Sequence, residues 1–153
     1  MSFARETGIA VFLVMVTLLF QSAGMALLIH WARVYIGRGV KNLGPLHSVV
    51  LVIRFSTAMI VLHILQIILW AAFYRWRCLS SWESSFYFSS ATYSTVGYGD
   101  IVLPGSWRLL GPVEGITGVL MCGLTVSCLF AIVARLVEGE SENSQTAQEV
   151  GED

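Results

Sequence analysis

The segment that decides the fold is Thr95-Val96-Gly97-Tyr98-Gly99-Asp100, in which a glycine stands at every second position after Val96. In an ordinary strand, successive carbonyl groups point to opposite sides, so turning them toward one side requires some residues to adopt a positive φ. Glycine adopts that conformation at the least cost. This hexapeptide therefore predicts a row of oxygens, the carbonyls of Thr95 through Tyr98 and the Thr95 hydroxyl, that can replace the hydration shell of a cation.

The hexapeptide occurs once, and no internal repeat is visible in the 153 residues. One strand supplies only a quarter of each oxygen cage around an axis, so a single copy per chain predicts four chains about a fourfold axis. We therefore expect the partners of this chain to be three further copies of itself, in a homotetramer.

The regions around the hexapeptide are too apolar for a water-soluble domain. Of the residues, 56% are hydrophobic and 12% are charged, about half of the charged fraction usual in soluble domains. Three stretches are nearly free of charge and meet the length of about 20 residues that a membrane span requires: Gly8–His30, Ser48–Phe73 and Leu109–Leu136. We predict an all-α membrane protein with three transmembrane helices, at about Ile9–Ile29, Val50–Phe73 and Pro112–Leu136. The apolar composition predicts that membrane lipid surrounds the chain. The net charge of −1 gives no sign of a basic surface, so no nucleic acid is expected as a partner.

The segment just before the hexapeptide predicts a short, re-entrant helix. Ser80-x-x-Glu83 has the pattern of a capping box, and the following residues from Trp82 to Ser94 are rich in aromatic side chains. Such a helix is about 20 Å long, which is too short to cross a bilayer. It is therefore expected to enter the membrane and return through the hexapeptide.

The first apolar stretch has one feature of a signal peptide, a run of small residues at Ser22-Ala23-Gly24. Its apolar run continues to Ile29, however, and cleavage would leave the hexapeptide facing the cytosol. We expect the first helix to be retained with the N-terminus outside, the hexapeptide on the outer face and the C-terminus in the cytoplasm.

The hexapeptide, the capped aromatic helix before it and the two spans that bracket it resemble the pore domain of potassium channels. The hexapeptide matches the selectivity-filter signature of that family letter for letter, and the resemblance covers about Ser48–Leu136. It implies passive, K⁺-selective conduction, with K⁺ as the permeant ion held by Thr95, Val96, Gly97, Tyr98 and Gly99, and with no cofactor. The additional first helix is similar to a small bacterial group of three-helix members, which implies the cell membrane, in bacteria the inner membrane.

The resemblance also implies three regions of the chain. Residues 1–47 are the N-terminal transmembrane helix and a cytoplasmic linker, residues 48–136 are the pore domain, and residues 137–153 are an acidic tail. Because the tail is nearly free of apolar residues, we expect it to be disordered.

The resemblance assigns supporting roles around the hexapeptide. Tyr98 is expected to point away from the ions into an aromatic cuff that Tyr87 and Phe88 supply. Asp100 is expected at the outer mouth, with the Tyr87 hydroxyl as its hydrogen-bond donor. The position four before Thr95, acidic in some members, is Ala91 here, so a carboxylate pair behind the filter is not expected.

The last helix carries two candidates for the hinge that the resemblance implies. Gly118 or Gly123 matches the hinge of the family's inner helix, although small residues also let membrane helices pack closely. With Gly118 as the hinge, Val119, Cys122 and Val126 fall on one helical face and are the candidates to line the cavity.

Some alternatives stay open at this stage. A weakly selective cation channel fits the same sequence, and a non-conducting membrane assembly or regulatory subunit is more remote. An enzyme is not expected, because no span carries paired carboxylates, a nucleophile with its base or a ligand cluster. His63 is either a proton sensor or, together with Gln66 one turn away, a hydrogen-bonding partner of a neighbouring helix. Cys78 is expected to be a free thiol, with pairing to its copy in another subunit as the alternative.

Overall fold

The computed structural model describes residues 3–37 and 45–151, and the elements in these ranges are helical. Four α-helices follow in chain order, with a short 3₁₀ turn at Gly105–Trp107 before the last: α1 Phe3–Gly37, α2 Pro45–Arg77, α3 Trp82–Tyr93 and α4 Leu110–Gly151. Three helices are long and apolar enough to cross a membrane, over Phe3–Val34, Ser48–Arg77 and Gly105–Arg135. The predicted all-α membrane fold with three spanning helices is confirmed.

The first helix packs along both of the other spanning helices. Against α2 it runs antiparallel: the Trp70 indole N–H donates to Thr17 Oγ1 at 3.0 Å, and Gly24 lies against Leu62. Against α4 it runs parallel, since Glu6 Oε1 accepts a 2.8 Å hydrogen bond from the backbone N–H of Leu109. The N-terminal end of α1 therefore lies at the same end of the molecule as the hexapeptide.

Two apolar clusters hold the helices together, one near each end. The cluster at the hexapeptide end consists of Ala10, Leu13, Trp70, Tyr74, Leu103, Trp107 and Leu110. The cluster at the opposite end consists of Ala32, Leu51, Phe55, Met59, Leu62, Cys128 and Ile132. Because α1 contributes side chains to both, burial of apolar surface fixes this helix along its whole length.

The observed ends of the spanning helices differ from the predicted ones. α1 continues to Gly37 and α2 begins at Pro45, so helix replaces much of the predicted linker, and its remaining residues 38–44 lie outside the described part. α4 begins at Leu110 rather than Pro112, which puts the proline in the first turn, where its missing N–H breaks no helical bond. Sequence periodicity does not fix helix ends to within two residues.

The acidic segment after Leu136 also differs from the expectation. The structure continues α4 to Gly151, whereas the sequence predicted disorder for residues 137–153. This stretch contains several glutamates and two glutamines, which are good helix formers, and extending an existing helix needs no new nucleus. Low apolar content predicted the absence of a packed core here, but it does not by itself prevent a helix.

The cap of α3 lies one residue later than predicted. Ser81 is the N-cap, with extended backbone angles, and its Oγ accepts from the Ser84 N–H at 3.0 Å. The predicted capping box placed Ser80 in this role with Glu83 as its partner. Because the N-cap directly precedes the first helical residue, a helix that begins at Trp82 requires its cap at position 81.

Candidate functional site: the hexapeptide and its supports

The hexapeptide has the backbone that its glycines predicted. Gly97 has φ 50° and Gly99 has φ 78°, and Thr95 adds a third positive value at φ 62°. Positive φ thus recurs at every second residue, which reverses the alternation of an ordinary strand and turns successive carbonyls toward one side. Such a row of oxygens can coordinate a dehydrated cation.

Backbone hydrogen bonds tie the start of the hexapeptide to the end of α3. The Thr95 N–H donates to the Thr92 carbonyl at 2.9 Å, and the Gly97 N–H donates to the Ala91 carbonyl at 3.0 Å. Both acceptors belong to the last turn of α3, whose carbonyls have no partner within the helix. Any rotation of the end of α3 is therefore transmitted directly to Thr95 and Gly97.

Asp100 anchors the other end of the hexapeptide. The Tyr87 hydroxyl donates to Asp100 Oδ2 at 2.9 Å, and Asp100 Oδ1 accepts from the Ile101 N–H at 3.1 Å. The expected bond between Tyr87 and Asp100 is thus present. This bond to the carboxylate raises the pKa of the Tyr87 hydroxyl above its ordinary value, because the phenol is an acceptable partner for a carboxylate only in its protonated form.

Tyr87 and Phe88, both expected in an aromatic cuff, take different directions. The Tyr87 ring stacks on Tyr98, with 6.5 Å between ring centroids and 12° between planes. Phe88 instead packs edge-on against Tyr74, at 5.1 Å and 85°, inside the apolar cluster at the hexapeptide end. Successive residues of an α-helix point about 100° apart, so these two neighbours cannot face the same ring.

A buried carboxylate lies behind α3. Glu114 of α4 is fully buried, and its Oε2 accepts from the Tyr74 hydroxyl of α2 at 2.7 Å. Ser89 Oγ of α3 lies within hydrogen-bond distance of Glu114 Oε1 and 3.0 Å from the Ile67 carbonyl oxygen. Glu114 therefore ties three helices together. Nothing in the sequence shows that Tyr74 and Ser89 converge on it.

The candidate cavity residues share one exposed face of α4. Val119 is 59% exposed and Val126 is 66% exposed in the single chain, and Cys122 between them is exposed as well. Val119 also lines an open cleft of ≈ 320 Å³ together with Thr95 and Gly97. The face predicted from helical spacing thus continues directly from the hexapeptide.

The two hinge candidates lie in different surroundings. A β-carbon on Gly118 would lie 2.1 Å from the carbonyl oxygen of Tyr93, so α4 and the end of α3 are in backbone contact there. A β-carbon on Gly123 would meet nothing within 4 Å in the described chain. Close packing explains Gly118, whereas the structure gives Gly123 no packing role.

At mid-span, His63 and Gln66 both hydrogen-bond to other helices. His63 Nδ1 lies 2.9 Å from the Tyr93 hydroxyl, and His63 Nε2 lies 3.0 Å from Thr125 Oγ1. Gln66 bonds to Gln21 of α1 and accepts from the Tyr93 hydroxyl at 2.7 Å. The geometry expected of a structural role is present, and it includes α1, which the sequence did not indicate.

The described residues contain no group of three or more His, Cys, Asp or Glu side chains that could hold a metal ion. Their cysteines are free thiols, with Cys128 buried and Cys78 half-buried. Burial raises the pKa of the Cys78 thiol to about 11.

Residues 49–135, more than half of the chain, match a family model described as an ion channel. The match covers nearly all of α2, the whole of α3 and the hexapeptide, and α4 as far as Arg135. The chain therefore belongs to this ion channel family, whose pore domain is of the two-helix potassium-channel type. No curated protein and no solved structure matches the chain. α1 lies outside the matched residues.

Proposed function

We propose that the chain is one subunit of a homotetrameric channel that conducts K⁺ selectively and passively across the cell membrane. The observation that carries this proposal is the positive φ at Thr95, Gly97 and Gly99, in a segment tied to a short helix between two spans. Carbonyls turned to one side offset the dehydration of K⁺, and several sites in a row keep any one ion from binding too tightly to leave. We refer to Thr95–Gly99 from here on as the filter.

The tetramer is supported by large apolar and aromatic side chains that are exposed to solvent in a single chain. Val96 is 53% exposed and Tyr98 is 73% exposed, although both are large apolar or aromatic side chains. The face of α4 with Val119 and Val126 is equally uncovered. Four copies about one axis would cover the outward side of the filter and turn the α4 faces toward a common cavity.

We propose that the filter faces the outside, that the C-terminus is cytoplasmic and that the membrane is the bacterial inner membrane. The parallel packing of α1 and α4 supports an outside N-terminus, because Glu6 and Leu109 lie at the filter end. The bacterial location follows from the resemblance of the chain to small three-helix members.

The test is K⁺ flux from liposomes that contain the purified, tetrameric protein. Gly97→Asp should abolish the flux, because an aspartate at φ 50° is strained and brings a negative charge into the filter. Gly105→Asp is the matched control, since Gly105 lies outside the filter in open space, and its flux should equal that of the wild type.

The same preparation separates the remaining functions. K⁺ flux that Ba²⁺ blocks, with Na⁺ excluded, supports the proposal. Equal permeability in mixed Na⁺ and K⁺, measured as a reversal potential, would leave a weakly selective cation channel. No flux from correctly tetrameric protein under any ionic condition would refute conduction and leave a non-conducting assembly.

A further inference from the structure

Five side chains from all four helices form a closed ring of hydrogen bonds in the middle of the molecule. We call it the polar ring, and its members are Gln21 of α1, His63 and Gln66 of α2, Tyr93 of α3 and Thr125 of α4. Gln21 and Gln66 are fully buried, and Tyr93 is 3% exposed. In a nonpolar environment each of these groups is costly unless its hydrogen bonds are made, and the ring makes them.

The hydrogen bonds of the polar ring run in one direction. The Gln66 amide donates to Gln21 Oε1, and the Gln21 amide donates to Thr125 Oγ1 at 3.1 Å. The Tyr93 hydroxyl donates to Gln66 Oε1 at 2.7 Å. The ring then closes if the Thr125 hydroxyl donates to His63 Nε2 and His63 Nδ1–H donates to the Tyr93 oxygen. Each member donates once and accepts once, which assigns a neutral imidazole with its proton on Nδ1.

Tyr93 connects the polar ring to the filter. It is the last residue of α3 and stands two positions before Thr95. The ring holds its side chain, and Gly118 packs against its carbonyl group. The last turn of α3 in turn accepts the backbone hydrogen bonds of Thr95 and Gly97. A shift of Tyr93 therefore moves the inner half of the filter.

We propose that the polar ring is a positioning device for the filter, that α1 takes part in it through Gln21, and that it requires a neutral His63. Acidification then opens the ring and lowers selectivity. This inference rests on the proposed function as a K⁺ channel. The proposal gives α1, which lies outside the residues matched by the family model, a role in ion selection.

The surroundings of His63 explain why a proton disrupts the ring. An imidazolium carries a proton on both nitrogens, so Thr125 Oγ1 would accept from His63 and from Gln21 and its own hydroxyl proton would lose its acceptor. α1 contributes the uncharged Gln21 to the surroundings of His63, and α3 contributes Tyr93. α4 contributes Thr125, and its titratable residues Cys122 and Glu114 lie near Tyr93. Glu114 is engaged by Tyr74 and Ser89. Among the described residues, no charged side chain hydrogen-bonds the imidazole, so a positive charge on this half-buried ring has no hydrogen-bonded counter-charge.

The test compares the K⁺/Na⁺ permeability ratio at pH 8 and pH 5, taken from reversal potentials of the full-length channel in bilayers. The wild-type ratio should fall by about tenfold at pH 5, because a tenfold change corresponds in free energy to the loss of about one buried hydrogen bond. His63→Gln should keep the high ratio at both pH values, because a glutamine amide can donate to Tyr93 and accept from Thr125 without titrating. A wild-type ratio independent of pH, or an unchanged pH dependence in His63→Gln, would overturn the proposal.

Three variants open the ring without a proton. Tyr93→Phe and Gln21→Leu should lower the ratio at both pH values. Thr125→Val should do the same, whereas its matched control Thr117→Val should not, because the Thr117 hydroxyl bonds only to the Val113 carbonyl of its own helix. Equal selectivity in all of these variants would overturn the positioning role.

A second measurement does not depend on conduction. With His30 and His47 replaced, ¹⁵N NMR of His63 in nanodiscs reports its protonation and tautomer directly. At pH 7 the signal should be that of neutral imidazole protonated on Nδ1, and Tyr93→Phe should change it. A proton on Nε2 at pH 7 would refute the ring even in a protein that conducts nothing. Failure of K⁺ flux with the expected tautomer would instead refute the proposed function.

Discussion

Thr95 adopts a backbone conformation that is normally left to glycine. Its φ of 62° costs a residue with a β-carbon roughly 1–2 kcal/mol. Three hydrogen bonds keep that end of the filter in place: Ser94 N–H to Ser90, Thr95 N–H to Thr92 and Gly97 N–H to Ala91. Threonine provides an additional hydroxyl oxygen at the inner end of the row, which glycine would not. If the proposed function is right, this strain is offset by the additional oxygen that the threonine offers to the ion.

The bond between Tyr87 and Asp100 gives a prediction with a defined pH range. Because the pKa of Tyr87 is raised above its ordinary value of about 10, the bond is fully present below that pH and is lost as the pH rises through the higher folded value. Tyr87→Phe should lower K⁺ selectivity at every pH from 6 to about 10. The ultraviolet difference spectrum between wild type and Tyr87→Phe should show a midpoint of tyrosinate formation above the ordinary value of about 10. A midpoint at or below that value would contradict the bond.

Gly118 and Gly123 make a matched pair of test positions on one helix. Gly118→Ala should destabilise the protein by about 1–3 kcal/mol, because the new methyl group meets the Tyr93 carbonyl oxygen and the backbone has to move. Gly123→Ala should cost nothing in stability within the chain, since it meets no atom within 4 Å. Thermal unfolding of both variants in detergent decides between these outcomes. Equal stability of the two variants would show that Gly118 is not a packing position.

At the scale of single elements, α3 is the helix whose placement matters most for the filter. Ser81 caps its start, and its twelve residues include two fully buried serines at positions 85 and 89 and Tyr93 in the last turn. Ser85 Oγ donates to the Ser81 carbonyl at 2.8 Å, and Ser89 reaches α2 and α4. Polar contacts therefore fix α3 at its start, middle and end.

The position of the α3 cap can be tested by replacing each of two neighbouring serines with alanine. Ser81→Ala should destabilise the protein by about 1 kcal/mol, because it removes the acceptor for the Ser84 N–H. Ser80→Ala should have little effect, because Ser80 is not the cap. Thermal unfolding of both variants measures the difference. A larger loss at Ser80 would restore the capping box that the sequence suggested.

The elements differ in how far the sequence predicts them. Hydropathy predicts all three spans, because a bilayer requires about 20 apolar residues whatever they pack against. The glycine pattern predicts the positive φ at Gly97 and Gly99, but nothing in it indicates the same at Thr95. The cap at Ser81 was missed by one residue because Ser80 and Ser81 both suit that position.

The contacts between helices were predictable only in part. Helical spacing placed Val119, Cys122 and Val126 on one face, and they are exposed together. The polar ring and the buried Glu114 depend on how each helix rotates against three others. A single sequence does not specify that rotation, so nothing in it indicated the roles of Gln21 and Tyr74.

At the scale of the whole molecule, α1 completes the channel subunit rather than lying beside it. It supplies Glu6 to the start of α4, Thr17 to Trp70 and Gln21 to the polar ring. These contacts are spread along the helix and reach both helices of the matched pore domain. In the proposed homotetramer, the other copies would cover the exposed face of α4 that carries Val119 and Val126.

The cavity face gives a prediction about thiol chemistry. A positively charged thiol reagent should reduce K⁺ current by reacting with the exposed Cys122, and Cys122→Ser should abolish the block. Cys128→Ser should keep it, because Cys128 is buried against α1 and α2. Cys78 should react slowly, because a pKa of about 11 leaves little thiolate at neutral pH. Single-channel recording before and after the reagent checks each variant. A block that survives Cys122→Ser would contradict a cavity position for this residue.

The polar ring also sets an order of events during synthesis. The chain emerges with Gln21 first, then His63 and Gln66, then Tyr93, and Thr125 last. Each carboxamide or hydroxyl that enters the bilayer before its partners is buried without a hydrogen bond, which disfavours the half-built subunit. Only insertion of α4 closes the ring and fixes the end of α3. A chain that stops before residue 125 therefore lacks the last member of the ring, and the end of α3 lacks the support that we propose for it.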